Sequence, residues 1–213
     1  MTNRNLIAQY LSDIVDGEYH RDDVELHALP LYHCAALHDF LTPDVYLGAT
    51  SIVVDSPDPD TILRTVAAEG VTKMFCPPTV WIRLLRSPAF DRHDLSSLRK
   101  GYYGAAIMPV AVLTELGERL PGIRLFNYYG QTELAPNATV LFPEEQITKP
   151  GTTGGRASTS RPGCTTTTTG RCPSGRSARS STGPRTPCGA TGAGRRPPPR
   201  CSGTAGSTAA TWA

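Results

Sequence analysis

Strand-type and helix-type segments alternate at least four times between residues 2 and 130, and this alternation limits the fold more than any other feature. "TNRNLIAQYLSDIVDGEY" puts Leu6, Ile7, Tyr10, Leu11 and Ile14 at helical spacing, with Thr2 or Asn3 as cap. "VELHALPLYHC" reads as a short strand that stops at Pro30, and "ALHDFLTPDVYLGA" as a helix with a break or kink at Pro43. "TSIVVDSP" is a β-branched strand ending in a turn, followed by the helix "PDTILRTVAAEG" with its stop at Gly70. The strand "VTKMFCPP", the helix "TVWIRLLRS" and the strand "LRKGYYGAA" come next. The helix "PVAVLTELGERL" has Pro109 in its first turn, and "GIRLFNYYG" is the last clear strand. Repeated alternation of this kind predicts a layered α/β domain with a largely parallel sheet.

Composition changes abruptly near Lys149-Pro150-Gly151. Residues 1–149 hold all 19 acids and 12 of the 21 bases, whereas residues 150–213 hold nine arginines, no Asp, Glu or Lys, and no Val, Ile, Leu, Met, Phe or Tyr. Cys34 and Cys76 lie in apolar contexts and read as buried free thiols. The other four cysteines have wide, irregular gaps that do not suit a zinc site. No signal peptide and no apolar run long enough to span a membrane is visible, so the expected location is the cytoplasm.

In a parallel sheet, ligands bind where loops leave the carboxyl ends of strands. Three such ends carry unusual residues. "NYYGQTE" ends a strand in Gly130, Gln131, Thr132 and Glu133. Thr132 can donate to a phosphate oxygen, Glu133 offers the hard oxygen that Mg²⁺ prefers, Tyr128 and Tyr129 offer flat faces for a base, and Asn127 presents donor and acceptor to a purine edge. A plain strand, turn and helix cap, with Thr132 as the cap, accounts for the same residues. "YYGAAIMP" contains Gly104, Ala105 and Ala106, against which a flat ring could lie, or which serve only close strand–helix packing. "LPLYHC" puts His33 just past a strand, where it can donate to developing negative charge or be a satisfied packing residue. His20, His27, His38 and His93 read as surface or packing residues.

In this order and spacing, "LPLYHCAAL", "GYYGAAIMP" and "NYYGQTELAP" resemble the adenylate-forming enzymes, specifically the acyl-CoA synthetases. The likeness covers residues 1 to about 154 and includes "FDRHDLSSLRKGYYGAA". It implies that the parallel-sheet part of a large N-terminal domain occupies residues 1–154. By position, Asn127 and Tyr129 would contact adenine with Gly104, Ala105 and Ala106 beneath it. Within the nucleotide segment 127–132, Thr132 would bind a phosphate; Glu133 would hold Mg²⁺, and His33 would sit near the reacting carboxylate. The implied chemistry joins a carboxylic acid, a fatty acid in this reading, to ATP and then to coenzyme A. The alternatives are an aryl-CoA ligase or a peptide-synthetase adenylation domain, with Thr79, Val80 and Trp81 as acyl-pocket residues. The resemblance also implies a Lys-bearing phosphate loop, a ribose-binding Asp and a lid Lys, which the 213 residues do not show; the expectation is therefore a chain inactive by itself. "GTTGGRAS" at 151–158 imitates the phosphate loop but has no Lys and follows the Thr-Glu segment.

Residues 155–213 read as a low-complexity tail. With almost no apolar side chains to offset about 1–2 kcal/mol of backbone entropy per residue, disorder is the physical expectation. An Arg-rich nucleic-acid arm is a poor fit, because the bases are scattered and Trp212 is the one aromatic residue. A shifted reading frame fits better. Taking each codon's last base with the next codon's first two permits an acidic run across Thr165–Thr169, a Gly-Glu strand across Cys172–Ser181 and a Gly-Asp segment across Ala205–Ala213. All three resemble the family's continuation.

Overall fold

A computed structural model describes residues 2–158. Expectations for 159–213, including disorder, the shifted frame and the arginine arm, lie outside the described residues.

The first helix, α1 (Asn3–Asp16), is capped by Thr2, whose side chain accepts from the Asn5 amide at 3.3 Å. Its orientation reverses the one its apolar spacing suggests. Gln9, Ser12, Asp13 and Asp16 face the protein, Ile7 and Leu11 are exposed, and Ile14 alone of the five apolar residues packs on a core cluster. The cause is hydrogen bonding: the Asp13 carboxylate receives Gln9 Nε2 and Asn137 Nδ2, each at 2.9 Å, which draws the polar face inward.

Four parallel strands follow in short crossovers: β1 (Val24–His27), β2 (Thr50–Val53), β3 (Lys73–Phe75) and β4 (Lys100–Gly104); β5 (Arg124–Gly130) extends them. Two further strands, β6 (Asn137–Leu141) and β7 (Gly155–Arg156), add antiparallel to β5, giving the order β2-β1-β3-β4-β5-β6-β7. The parallel part agrees with the alternating pattern. β6 and β7 lie beyond the segment read as the last clear strand.

Topology decides which face each helix covers. From β1 to β2 the chain steps one way, through a π-helical stretch (Ala35–Leu41) and α2 (Thr42–Leu47). From β2 to β5 it steps the other way, through α3 (Pro59–Glu69), α4 (Pro78–Arg86) and α5 (Val110–Arg119). Since such crossovers are right-handed, the two directions place their helices on opposite faces. The cores obey this. Leu26, Met74, Tyr103 and Leu125 point to α3–α5 and pack with Ile62, Trp81 and Leu116. Their strand neighbours Phe75, Tyr102, Phe126 and Tyr128 point to the other face and pack with Tyr19 and Phe40. The break expected at Pro43 is the passage from π to α geometry, with Thr42 Oγ1 donating to Leu37 O at 2.7 Å. Pro109 caps α5 from outside the first turn rather than within it.

Residues just past 154, where the likeness ends, still pack on the sheet. Ala157 is buried and donates its amide to Ala138 O at 3.0 Å, and the Ser158 amide reaches Asp16 Oδ2 at 2.6 Å. The loop-like "GTTGGRAS" is therefore the entry to β7. A side chain at Gly154 would meet Val140 O at 2.0 Å, so this glycine serves close backbone approach.

Candidate functional site

Strand order reverses between β1 and β3, and in open α/β sheets the crevice for ligands opens at the carboxyl ends of the strands beside such a reversal. The chain leaving β1 there carries His33 and Cys34. The chain leaving β4 carries Ala105 and Ala106, and the chain leaving β5 carries Gln131, Thr132 and Glu133. A direct contact joins two of these loops: Cys34 Sγ lies 3.0 Å from Thr132 Oγ1. The residue after His33 thus touches the hydroxyl read as a phosphate donor, although 98 positions separate them. Cys34 is half-buried rather than buried, because it faces this loop, whereas Cys76 is fully buried as expected and burial pushes its thiol up to about 12.

His33 is half-buried. Its Nδ1 accepts from the Ala35 amide at 3.2 Å and lies 3.7 Å from Cys34 Sγ. Partial burial lowers its pKa from the ordinary imidazole value.

The β5 end is shaped by a register shift at Tyr129/Gly130. A Cβ at Gly130 would stand 2.0 Å from Pro136 O, and the Gln131 amide donates to that same oxygen at 2.8 Å, so the chain turns back tightly toward β6. This turn lifts Thr132–Leu134 out as a single 3₁₀ turn, with Gln131, Thr132 and Glu133 all exposed. Thr132 does not cap a helix: Gln131 holds the cap position, and no side-chain hydrogen bond closes it. Glu133 makes no ion pair among the described residues, which leaves its carboxylate available to a cation.

At the β4 end, Gly104 is buried, and an added Cβ would meet Tyr128 O at 2.5 Å. Ala105 and Ala106 are exposed, and Ala105 takes φ 68°, a left-handed conformation that L-residues seldom adopt and that is found at ligand-contacting loops. Tyr129 is half-buried, with its hydroxyl 3.5 Å from Gln131 Nε2. Asn127 is buried and donates to Thr152 O at 3.3 Å.

The ring of Tyr128 corrects one expectation. It points to the opposite face, stacks on Phe40 at 5.6 Å between centroids, and is buried, so it offers no face to a base. Alternation along a strand requires this, because Asn127 and Tyr129 flank it. Val80 and Trp81 are likewise core residues; Trp81 Nε1 donates to Tyr102 O at 3.2 Å, and of the three acyl-pocket residues only Thr79 is exposed.

The sequence reading missed a buried charged cluster under the sheet. Lys73 Nζ lies 2.7 Å from Glu25 Oε2, 2.6 Å from Asp44 Oδ1 and 3.4 Å from the centre of the Tyr19 ring, with both acids and the lysine fully buried. Burial, with Glu25 beside it, pushes the Asp44 carboxyl up to about 9, and burial pushes neighbouring His27 down to about 4. His27 is therefore a buried neutral imidazole, which narrows its reading to packing. Ligand atoms of Glu25, His27 and Asp44 lie within 4.8 Å of one another, but the Lys73 ammonium already supplies the cation there. The pattern was visible only as charged letters at inward positions of two strands. Register makes it a cluster by setting Glu25 opposite Lys73.

Fold and site define a doubly wound α/β domain whose exposed polar groups gather at carboxyl strand ends. A sequence model of the AMP-binding enzymes matches residues 1–167, and this chain belongs to that family. It is 34% identical over 141 residues to 4-coumarate–CoA ligase 5 of Oryza sativa subsp. japonica, covering 64% of this chain and 26% of that protein. It is 32% identical over 154 residues to feruloyl-CoA synthase of an Amycolatopsis species, covering 72% and 31% respectively. Among solved structures, O-succinylbenzoate coenzyme A synthetase from Bacillus subtilis, in complex with ATP and magnesium ion, superposes with TM-score 0.66 at 25% identity, covering 74% of this chain and 32% of that one. The N-terminal domain of FACL13 from Mycobacterium tuberculosis gives TM-score 0.70 at 23% identity, a likeness of fold, over 74% and 40%. The chain spans about a quarter to a third of the length of these two curated relatives. Among the described residues, no helix is long and apolar enough to cross a membrane.

Proposed function

We propose that residues 1–158 form the nucleotide-binding part of an ATP-dependent acid–thiol ligase. The observation that carries this is the meeting of the His33–Cys34 and Thr132–Glu133 loops at the carboxyl edge of the parallel sheet, through the 3.0 Å contact of Cys34 with Thr132, in a chain of the AMP-binding family. In the reaction, a carboxylate oxygen bonds to the α-phosphorus of ATP and pyrophosphate leaves. The coenzyme A thiolate then bonds to the acyl carbon and AMP leaves. Thr132 donates its hydroxyl to a phosphate oxygen, and His33 donates to the reacting carboxylate group. Exposed Ala105 and Ala106 with Tyr129 border the adenine, and Asn127 meets its edge. Glu133 would hold Mg²⁺: it is exposed and, among the described residues, belongs to no cluster of metal-ligating side chains, so its carboxylate is open to a cation. When bound, the metal would supply charge neutralisation at the phosphates.

The proposed acid is a fatty acid. An aromatic acid is the second reading, favoured by the names of the rice and Amycolatopsis relatives. Titration with two non-hydrolysable acyl-adenylates, a long-chain acyl-sulfamoyl adenosine and its 4-hydroxycinnamoyl counterpart, separates the two readings by affinity. The proposal fails if neither binds more tightly than adenosine alone.

A further inference from the structure

His33 stands where β1 has ended and the π-helical stretch begins, and its Nδ1 receives the Ala35 backbone N–H at 3.2 Å. A backbone amide can only donate, so Nδ1 must present its lone pair. A neutral imidazole with a bare Nδ1 carries its proton on Nε2. The other tautomer would set N–H against N–H and would strip the Ala35 amide of its acceptor. That amide lies at a helix start, where backbone donors have no intrahelical partner, so the loss would leave a donor unmet in a buried residue. The Cys34 thiol, 3.7 Å from the same nitrogen, can donate to Nδ1 but adds no reason to protonate it.

We propose that the Ala35 amide locks His33 as its Nε2–H tautomer, so that His33 serves acid activation as a fixed hydrogen-bond donor and not as a general base. The role in acid activation rests on the proposed function; the tautomer does not. A locked donor suits a step in which negative charge gathers on oxygen, because the group needs no reorganisation as the charge develops. A general base would instead need a bare Nε2 pointing at the substrate, which the Ala35 contact forbids.

Long-range proton–nitrogen correlation spectra of the full chain, labelled with ¹⁵N-histidine, read the tautomer directly. His33 is assigned by the signal lost in His33→Gln and, independently, in His33→Asn. The expected pattern is a pyrrole-type shift at Nε2 and a pyridine-type shift at Nδ1 at neutral pH. The reverse pattern, two pyrrole-type nitrogens, or two averaged shifts would each overturn the lock. Affinity for the acyl-sulfamoyl adenosine that wild type prefers then tests the donor role. Glutamine can place an amide N–H where Nε2 stood, whereas asparagine cannot reach it, so His33→Asn should lose about tenfold more affinity than His33→Gln. Equal losses would overturn the donor role. If neither analogue binds wild type, the proposed function fails while the nitrogen shifts still decide the tautomer.

Discussion

Replacing Asp44 with asparagine should stabilise this domain, and the gain should grow with pH. The Asp44 carboxyl titrates near 9 in the fold against 3.8 in the unfolded chain, so between those values folding takes up a proton. Stability drawn from that proton is fully present below the lower value and is lost as pH rises toward the upper one, at up to about 1.4 kcal/mol per pH unit. His27 acts with the opposite sign: its folded value of about 4 lies below 6.5, so stability rises with pH across that interval. The two slopes oppose each other up to pH 6.5, and Asp44 dominates above it. Asparagine reproduces the protonated acid, since its Oδ1 can accept from Lys73 while its amide donates to Glu25. Urea unfolding should therefore show Asp44→Asn gaining about 2 kcal/mol on wild type between pH 6.5 and roughly pH 8. A constant difference across that range would contradict the shared proton. Lys73→Met should do the reverse and cost about 3–5 kcal/mol, by removing the one cation that the buried Glu25–Asp44 pair shares.

The second large effect concerns the metal. Glu133→Gln should remove the rise in ATP affinity that Mg²⁺ produces, a loss of at least about tenfold, and leave metal-free AMP binding unchanged. Thr132→Ala should weaken both nucleotides, because a hydrogen bond to a charged phosphate contributes about 1.5–3 kcal/mol. Both side chains are exposed on a 3₁₀ turn, so neither substitution removes a core contact, and unfolding midpoints should match wild type. Calorimetric titrations with and without Mg²⁺ read both effects. An unchanged magnesium increment in Glu133→Gln would remove Glu133 from the metal's site.

The parallel half of the sheet was legible because its strands and helices differ in period, which survives in a single sequence. β6 was not: "NATVL" is short and opens on a polar residue, and its place depends on the turn that Gly130 makes against Pro136. α1 was legible as a helix but not in orientation, because its inward face is held by Gln9, Asp13 and Asn137 across 124 positions, and apolar spacing carries no trace of that pairing. Of the candidate site, the loops at three strand ends were readable as motifs. That Tyr128 turns away while Tyr129 stays near the edge follows from strand alternation and could have been drawn from the sequence. The Cys34–Thr132 contact and the Lys73 cluster could not, since register and crossover direction create them.

The proposed function requires a magnesium nucleotide to bind across the carboxyl ends of β1, β4 and β5. Hydrogen exchange of the full chain with and without MgATP maps this binding along the backbone. Slowed exchange should fall in the segments containing His33–Ala35, Gly104–Ala106 and Asn127–Glu133, and should disappear from the last of them in Thr132→Ala. Protection confined to the arginine-rich residues 159–213, or to the opposite edge of the sheet around Lys100 and Arg124, would contradict it.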